Sequence, residues 1–416
     1  MRKFIAPVFT SLNRVIVFRI LVCLLLLAAL SQGRASSDEP VKRPLLVAHY
    51  MPWFEAKPTS LQWGWHWTMN AFDPEKKTQD RRSIASHYYP LIGTYDSSDP
   101  TVIEYHLLLM KTAGIDGIIV DWYGMSDLYD YPALHRNTRL LFEYAAKCGL
   151  LVGICYEDQT ITKLVEAKRL SGSDRIKHAK SEMDWVRENW FSKPAYLKLN
   201  GKPVLLSFGS EGLKDDEWEQ IFSSKNDAPI YLSEHKRRSA ASGTFDWPQP
   251  QIGLASLNQY YKSVEAGTIS MPVAFPRFND IYKEAKVQDG YPQIPDDQGR
   301  TFAMTLERAV KSGARIVQIA TWNDWGEGTA IEPSKEFGYR DLETIQRLRS
   351  ISDTHFFETP ADLRLPQRLW QLRSRQTQRP ELKTKLDGIA RLLASGKVFQ
   401  AGSALKQLEL TSKRNK

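Results

Sequence analysis

In the stretch Gly117–Asp158, GIIVDWYGMSDLYDYPALHRNTRLLFEYAAKCGLLVGICYED, two apolar runs of strand length flank one stretch of helix length. The runs are Gly117–Trp122 and Leu150–Tyr156. Between them the spacing predicts a helix over Pro132–Lys147, and Cys148 with Gly149 makes the helix-to-strand turn. A strand, a helix and a second strand in this order form a unit whose strands pair in parallel, because only a crossover of that length returns the chain to the same sheet edge.

The pattern continues in both directions. Further strands are expected at Leu45–Tyr50, Pro203–Phe208, Pro229–Ser233, Thr244–Trp247, Pro272–Phe275 and Arg315–Thr321, the Thr244–Trp247 signal being the weakest. Helices are expected at Pro100–Ala113, Asp174–Trp190, Asp215–Ser223, Leu254–Val264, Phe302–Ser312 and Asp341–Ser350. Eight strands with helices between them predict an α/β chain of a single (β/α)8 TIM barrel; a doubly wound sheet is the competing arrangement. The division expected is residues 1–35 as signal peptide or membrane anchor, 36–43 as linker, 44–355 as barrel and 356–416 as a basic C-terminal helical extension. In that extension Leu382, Leu386, Ile389 and Leu393, then Phe399, Ala401, Leu405 and Leu408, recur at helical spacing and predict a small hairpin, packed on the barrel or loosely tethered.

Of 416 residues, 42% are hydrophobic, enough for a large core. The net charge of +8 sits at the ends: Arg2, Lys3, Arg14, Arg19 and Arg34 precede the first acid, Asp38, and 13 basic residues face 4 acidic ones from Ala361 onward. The body between is mildly acidic, which argues against nucleic acid, whose partner needs its basic patch on the folded domain. The run ILVCLLLLAAL (Ile20–Leu30) after a basic leader, with Gly33 and Ala35 before Ser36, reads as a secretory signal. An uncleaved anchor is the alternative, and the absence of any N-x-S/T sequon favours a bacterial source. The location expected is therefore exported: periplasmic, extracellular or membrane-anchored. Cys148 and Cys155 read as buried free thiols, with a disulfide between them as the alternative; no Cys/His spacing suits a metal, and no cofactor is expected.

Barrel enzymes carry their reacting groups at the C-terminal ends of strands. Those ends supply His49, Tyr50 and Trp53; Asp121, Trp122 and Tyr123; Tyr156, Glu157 and Asp158; Glu234 and His235; Asp246 and Trp247; Arg277, Asn279 and Asp280; and Trp322, Asn323, Asp324, Trp325 and Glu327. Carboxylates and aromatics recur, as glycoside chemistry needs: acids move protons and ring faces stack on sugars. In WNDWGEGTAIEP (Trp322–Pro333) Asp324 and Glu327 lie three residues apart in a Gly-containing turn, where one acid can stay protonated beside an ionised neighbour. The same spacing also suits a solvated acidic turn. The long first crossover adds Trp63, Trp65, His66 and Trp67, then Tyr95 and Asp96, as a wall for sugar rings or as a loop packed on itself. Asp121 either bonds substrate or holds its loop, His49 either bonds sugar hydroxyls or is a core histidine, and Arg277 meets an acidic glycan group or Asp280.

AHYMPWF (Ala48–Phe54), HYYPLIGTYDSSDPTVIEYHLLLMKTAGIDGIIVDWYG (His87–Gly124), YLKLNGKPVLLSF (Tyr196–Phe208) and WNDWGEGTAIEP resemble, in order, segments of the glycoside hydrolase family 71/99-like group, which includes endo-α-mannosidases and endo-α-mannanases. The resemblance spans Leu45 to Leu342. It implies an endo-acting, retaining hydrolase of α-mannoside-like glycans that works through a 1,2-anhydro-sugar, with Asp324 as the base on the 2-hydroxyl, Glu327 as the acid/base, and Glu157 contacting the reacting sugar. This chain departs from the family in having Asp324 where the characterised enzymes have Glu, a reach shorter by ~1.5 Å. A direct-nucleophile or inverting route therefore stays open. So do two other readings: remodelling or transfer of glycan on an envelope polysaccharide, and a non-catalytic glycan-binding barrel.

Overall fold

The structure, a computed structural model, describes residues 43–222, 228–375 and 380–414. The signal segment, Cys23 and the linker through residue 42 lie outside the described residues. Arg43, expected to end the linker, belongs to the barrel instead: its guanidinium pairs with Asp116 at 3.0 Å and Asp353 at 2.8 Å.

All eight expected strands form. They are β1 (Leu45–Tyr50), β2 (Gly117–Trp122), β3 (Leu151–Glu157), β4 (Lys202–Phe208), β5 (Ile230–Glu234), β6 (Gly243–Phe245), β7 (Ile269–Met271 and Val273–Ala274) and β8 (Ile316–Ile319). Each pairs in parallel with the next, and β8 returns to β1 with Leu46 opposite Val317. Closure depends on β7. Its first half pairs with β6 and its second with β8, and the break is Pro272, which has no N–H for a ladder but accepts from the Gln318 N–H at 3.0 Å. The sheet thus closes into the barrel, not the doubly wound alternative. The weak β6 is three residues long, and its Gly243 lies against β7: a Cβ there would stand 1.8 Å from the Ile269 carbonyl oxygen.

The strands sort their side chains by parity, as a pleated strand must. Leu46, Ala48 and Tyr50, Ile118, Val120 and Trp122, and Val152, Ile154 and Tyr156 face the helices in one core. Val47, Ile119, Cys155, Leu206, Leu232, Phe245, Met271 and Ile316 fill the barrel interior in another. Two residues further on, the same inner rows carry His49, Asp121, Glu157, Glu234 and Gln318. Apolar below and polar above, this one alternation builds both the core and the floor of the candidate site.

Helices α1 (Pro100–Ala113), α2 (Tyr131–Cys148), α3 (Arg175–Val186), α4 (Asp215–Ile221), α5 (Ala255–Ser263), α6 (Arg300–Lys311) and α7 (Arg340–Ser352) occupy the expected segments. Helix α1 shows why the boundaries were legible: the Asp99 side chain accepts from the Thr101 N–H, Pro100 opens the helix, and Gly114 ends it in the left-handed region. The helix expected to run to Trp190 passes at Val186 into a wider turn, Arg187–Phe191, which seats Trp190 against Trp122. A short helix at Gln159–Glu166, joined to β3 through Asp158 alone, was not anticipated. Nor was α8 (Leu365–Arg375), which precedes the expected hairpin of α9 (Pro380–Ala394) and α10 (Val398–Arg414). Helices α8 and α9 pack on α1, where Arg373 pairs with Glu104, and α10 packs on α8 and α9. Leu382, Leu386, Ile389, Leu393, Ala401 and Leu405 are buried as their spacing required, but Phe399 is 83% exposed and outside the apolar stripe. Among the described residues no helix is long and apolar enough to cross a membrane.

Candidate active site

The loop after β8 presents Asp324 and Glu327. Its backbone is held from within: the Asp324 N–H donates to the Thr321 Oγ1 at 2.7 Å, and the Glu327 N–H donates to Asp324 Oδ1 at 2.9 Å. The segment after β7 supports it from the side, with the Asn279 N–H on the Glu327 carbonyl and the Ile281 N–H on the Gly326 carbonyl. Gly328 has φ +67°, and a Cβ there would meet the Asn279 carbonyl oxygen at 2.6 Å, so both conformation and contact demand glycine.

The two carboxyl groups experience different surroundings. Burial raises both. Asp324 is lifted only to about 6, because the N–H groups of Glu327 and Gly326 stabilise its anion. Glu327 is pushed well above the usual carboxylate range by burial and then by the charge of Asp324, with smaller contributions from Asp280 and Glu234; the Tyr282 hydroxyl, donating to Oε1 at 3.3 Å, opposes this. Asp324 therefore loses its proton before Glu327 does, the order a base and an acid require. Glu327 Oε2 is buried and has no protein partner.

Opposite this loop, Asp121 and Glu157 share a hydrogen bond. Burial raises both, and the Asp121 charge adds to the rise at Glu157, so Glu157 holds the proton between them. His49 forms the floor. Its Nδ1 lies 3.3 Å from Gln318 Oε1, burial lowers its pKa to about 4, and its Nε2 faces Asp121 Oδ1 at 3.8 Å. His49 is thus a neutral imidazole. With Cys155, His49 and Asp121 offer three ligand atoms within 4.8 Å of one another, a set that could hold a small divalent cation. At the rim, burial opposes charge on His235, but bonds to Asp246 at 3.1 Å and Glu234 at 3.3 Å outweigh it and lift the imidazole to about 9.

The aromatic wall is smaller than the sequence suggested. Trp53 stacks on His66 with ring centroids 4.0 Å apart, and His66 Nε2 reaches Asp130 at 3.4 Å. Trp65 stands 40% exposed at its edge. Trp63 is partly taken up by its own loop, its indole N–H on Glu75 and its face under Arg82. Trp67 does not line the wall: it is fully buried against Phe54 and Tyr95. The rings of Tyr50, Tyr95, Trp122, Tyr156, Trp322 and Trp325 are likewise interior, as is Asn323, because their parity or their loop turns them into the helix-facing core or the barrel interior. Asp96 caps a turn, accepting from the N–H groups of Ala56 and Ser98. Arg277 is buried and bound to Asp296, Asp341 and the Ala330 carbonyl, so it meets neither a glycan nor Asp280. Tyr282 was missed: it lies seven residues past Phe275 in an irregular segment, and only contact with Glu327 marks it.

A (β/α)8 barrel whose mouth holds an unequally titrating acid pair and a rim of partly exposed aromatics is of the glycosidase class. Within that class, residues 45–261 match the sequence profile of glycosyl hydrolase family 99, and the chain belongs to this family. Residues 233–366 match a domain of unknown function, DUF5010. Among curated relatives, a glycoprotein endo-alpha-1,2-mannosidase-like protein from Danio rerio is 23% identical over 296 residues, and one from Homo sapiens is 29% identical over 316 residues. The alignments cover 64% and 70% of this chain, and 64% and 65% of those proteins, so the chain spans about two thirds of their length. The structure of the family 99 endo-alpha-mannosidase from Bacteroides thetaiotaomicron superposes with a TM-score of 0.56 at 20% identity, covering 74% of this chain and 96% of that one, which supports the fold.

Proposed function

We propose that this chain is an exported, endo-acting glycoside hydrolase of α-mannoside-containing glycans, with Asp324 as base and Glu327 as acid. The observation that carries the reading is the placing of the two carboxyl groups in one loop, where Asp324 Oδ1 accepts the Glu327 N–H at 2.9 Å and Glu327 Oε1 accepts from the Tyr282 hydroxyl at 3.3 Å; burial and the neighbouring Asp324 charge both favour the protonated form of Glu327. The names of the curated relatives, endo-alpha-1,2-mannosidases, supply the substrate class.

The chemistry runs with retention. Asp324 accepts the proton of the 2-hydroxyl; that oxygen attacks the anomeric carbon as the bond to the leaving oxygen breaks, and Glu327 donates its proton to the departing alcohol. A 1,2-anhydro-sugar remains. Water then opens it at the anomeric carbon, its proton passing to Glu327 while Asp324 returns a proton to O2. The Glu157–Asp121 pair, protonated at Glu157, is the donor for a hydroxyl of the reacting sugar, and Trp53, Trp65 and His66 form the flank for neighbouring rings. Export rests on the leader and apolar run at residues 2–30.

The test is a panel of α-linked oligosaccharides and polysaccharides with the anomeric form of the first product read by NMR. Release of an α-configured reducing end from α-mannosides is expected. A β-configured first product would remove the retaining route, and no released reducing end from any α-mannoside would remove the activity.

A further inference from the structure

Asp324 is flanked by Asn323 and Trp325, and both neighbours are tied to one buried hydroxyl. Asn323 Nδ2 donates to Tyr95 Oη at 3.2 Å, and the Trp325 indole N–H donates to the same oxygen at 3.1 Å. Asn323 also clamps the end of β1, donating to the Met51 carbonyl at 3.0 Å and accepting from the Met51 N–H at 2.8 Å. Because both amide and indole are donors, Tyr95 must accept from each, and its own proton can go only to its remaining partner. That partner is Glu332 Oε2, at 2.8 Å.

Glu332 is in turn oriented from behind. His106 Nε2 faces Glu332 Oε1 at 3.2 Å, within ion-pair distance though off a straight hydrogen-bond line, and both side chains are fully buried. Tyr50, the last residue of β1, bonds His106 Nδ1 at 2.9 Å. None of these groups reaches the cleft, and none has a part in the proton transfers above. Burial is costly for a polar side chain whose partners are not fixed, and the Tyr95 partner of Glu332 leads on to the loop that carries the acid pair.

We infer that Glu332 and His106 are positioning residues: through the Tyr95 hydroxyl they set the direction of the two donors on either side of Asp324 and so fix where its carboxylate stands. The inference rests on Asp324 being the base, as proposed above. It differs from plain core packing, in which the hydroxyl would matter to stability alone.

Three variants test it in the full chain. Tyr95→Phe deletes one oxygen and leaves two donors without an acceptor; kcat is expected to fall about 10- to 100-fold with KM changed less than about threefold. Glu332→Leu should act in the same direction. Glu332→Gln should recover most of the loss, since its amide oxygen accepts the Tyr95 proton and its amide nitrogen donates to His106 Nε2 in the other tautomer. Independently of turnover, the Trp325 indole proton, identified in 15N-tryptophan-labelled protein by its disappearance in Trp325→Phe, should exchange with solvent about tenfold faster or more in Tyr95→Phe. A Tyr95→Phe protein with kcat within twofold of wild type and an unchanged indole proton overturns the inference; so does a lowered Tm with kcat retained. Should Glu332→Leu fail to fold, Tyr95→Phe decides alone. A wild-type protein inactive on every glycan would defeat the proposed function, and the indole exchange would still report whether Tyr95 and Glu332 hold the loop.

Discussion

Asp324→Glu supplies the carboxylate length that the family resemblance leads one to expect, yet in this chain it should lower activity. Asp324 is 6% exposed, and its Oδ1 already accepts the Glu327 N–H at 2.9 Å. An added methylene moves the carboxylate by ~1.5 Å, so either the backbone bond breaks or the loop shifts. A hydrogen bond to a charged group contributes ~1.5–3 kcal/mol, which at 1.4 kcal/mol per decade corresponds to a rate loss of roughly 10- to 150-fold. The loss should appear in kcat, because the bond orients the base more than it holds the sugar. Initial rates on whichever α-mannoside the panel identifies, with Tm measured alongside, give the answer. A kcat at or above wild type would show that the cavity is not shaped around aspartate and would refute this reasoning.

Three further outcomes are expected. Glu327→Gln should abolish turnover while leaving glycan affinity within a few fold, measured by calorimetry; in wild type the rate should rise with pH as Asp324 ionises near 6 and fall only where Glu327 gives up its more tightly held proton. A rate that rises monotonically to high pH would take Glu327 out of the acid role. Glu157 has its pKa raised by burial and by Asp121, so the native state binds its proton more tightly than the unfolded chain, and stability is lost as pH rises from the unfolded value through the folded one. Glu157→Gln should accordingly raise Tm at pH 8 and have little effect at pH 4; a gain larger at pH 4 would contradict that sign. Trp65→Ala should raise KM with Tm almost unchanged, whereas Trp67→Ala should cost about 3–5 kcal/mol in denaturant unfolding, because only the second ring is enclosed. Equal losses of stability would show that both rings belong to the core.

Strand parity was readable in advance because a buried strand has a period of two whatever surrounds it. The ends of the strands could therefore be listed as the candidate site, and Asp121 and Glu157 lie near enough to influence each other's titration, as do Asp324 and Glu327. Which aromatics remain open was not readable. Trp65 and Trp67 differ by two positions in one short helix, and the contact of Trp67 with Phe54 and Tyr95, from other parts of the chain, decides that it is the buried one. Arg277 shows the same limit: its partners Asp296 and Asp341 lie 19 and 64 residues away, and no local spacing selects them over Asp280.

Sequence alone determined the barrel, the loop that carries the acids and their order along the chain, since these follow from periodicity, caps and local spacing. Tertiary structure decided which acid keeps its proton, which rings face the cleft and which hydroxyl steadies Asp324. Those properties depend on burial and on donors brought together from distant segments, and a linear pattern encodes neither.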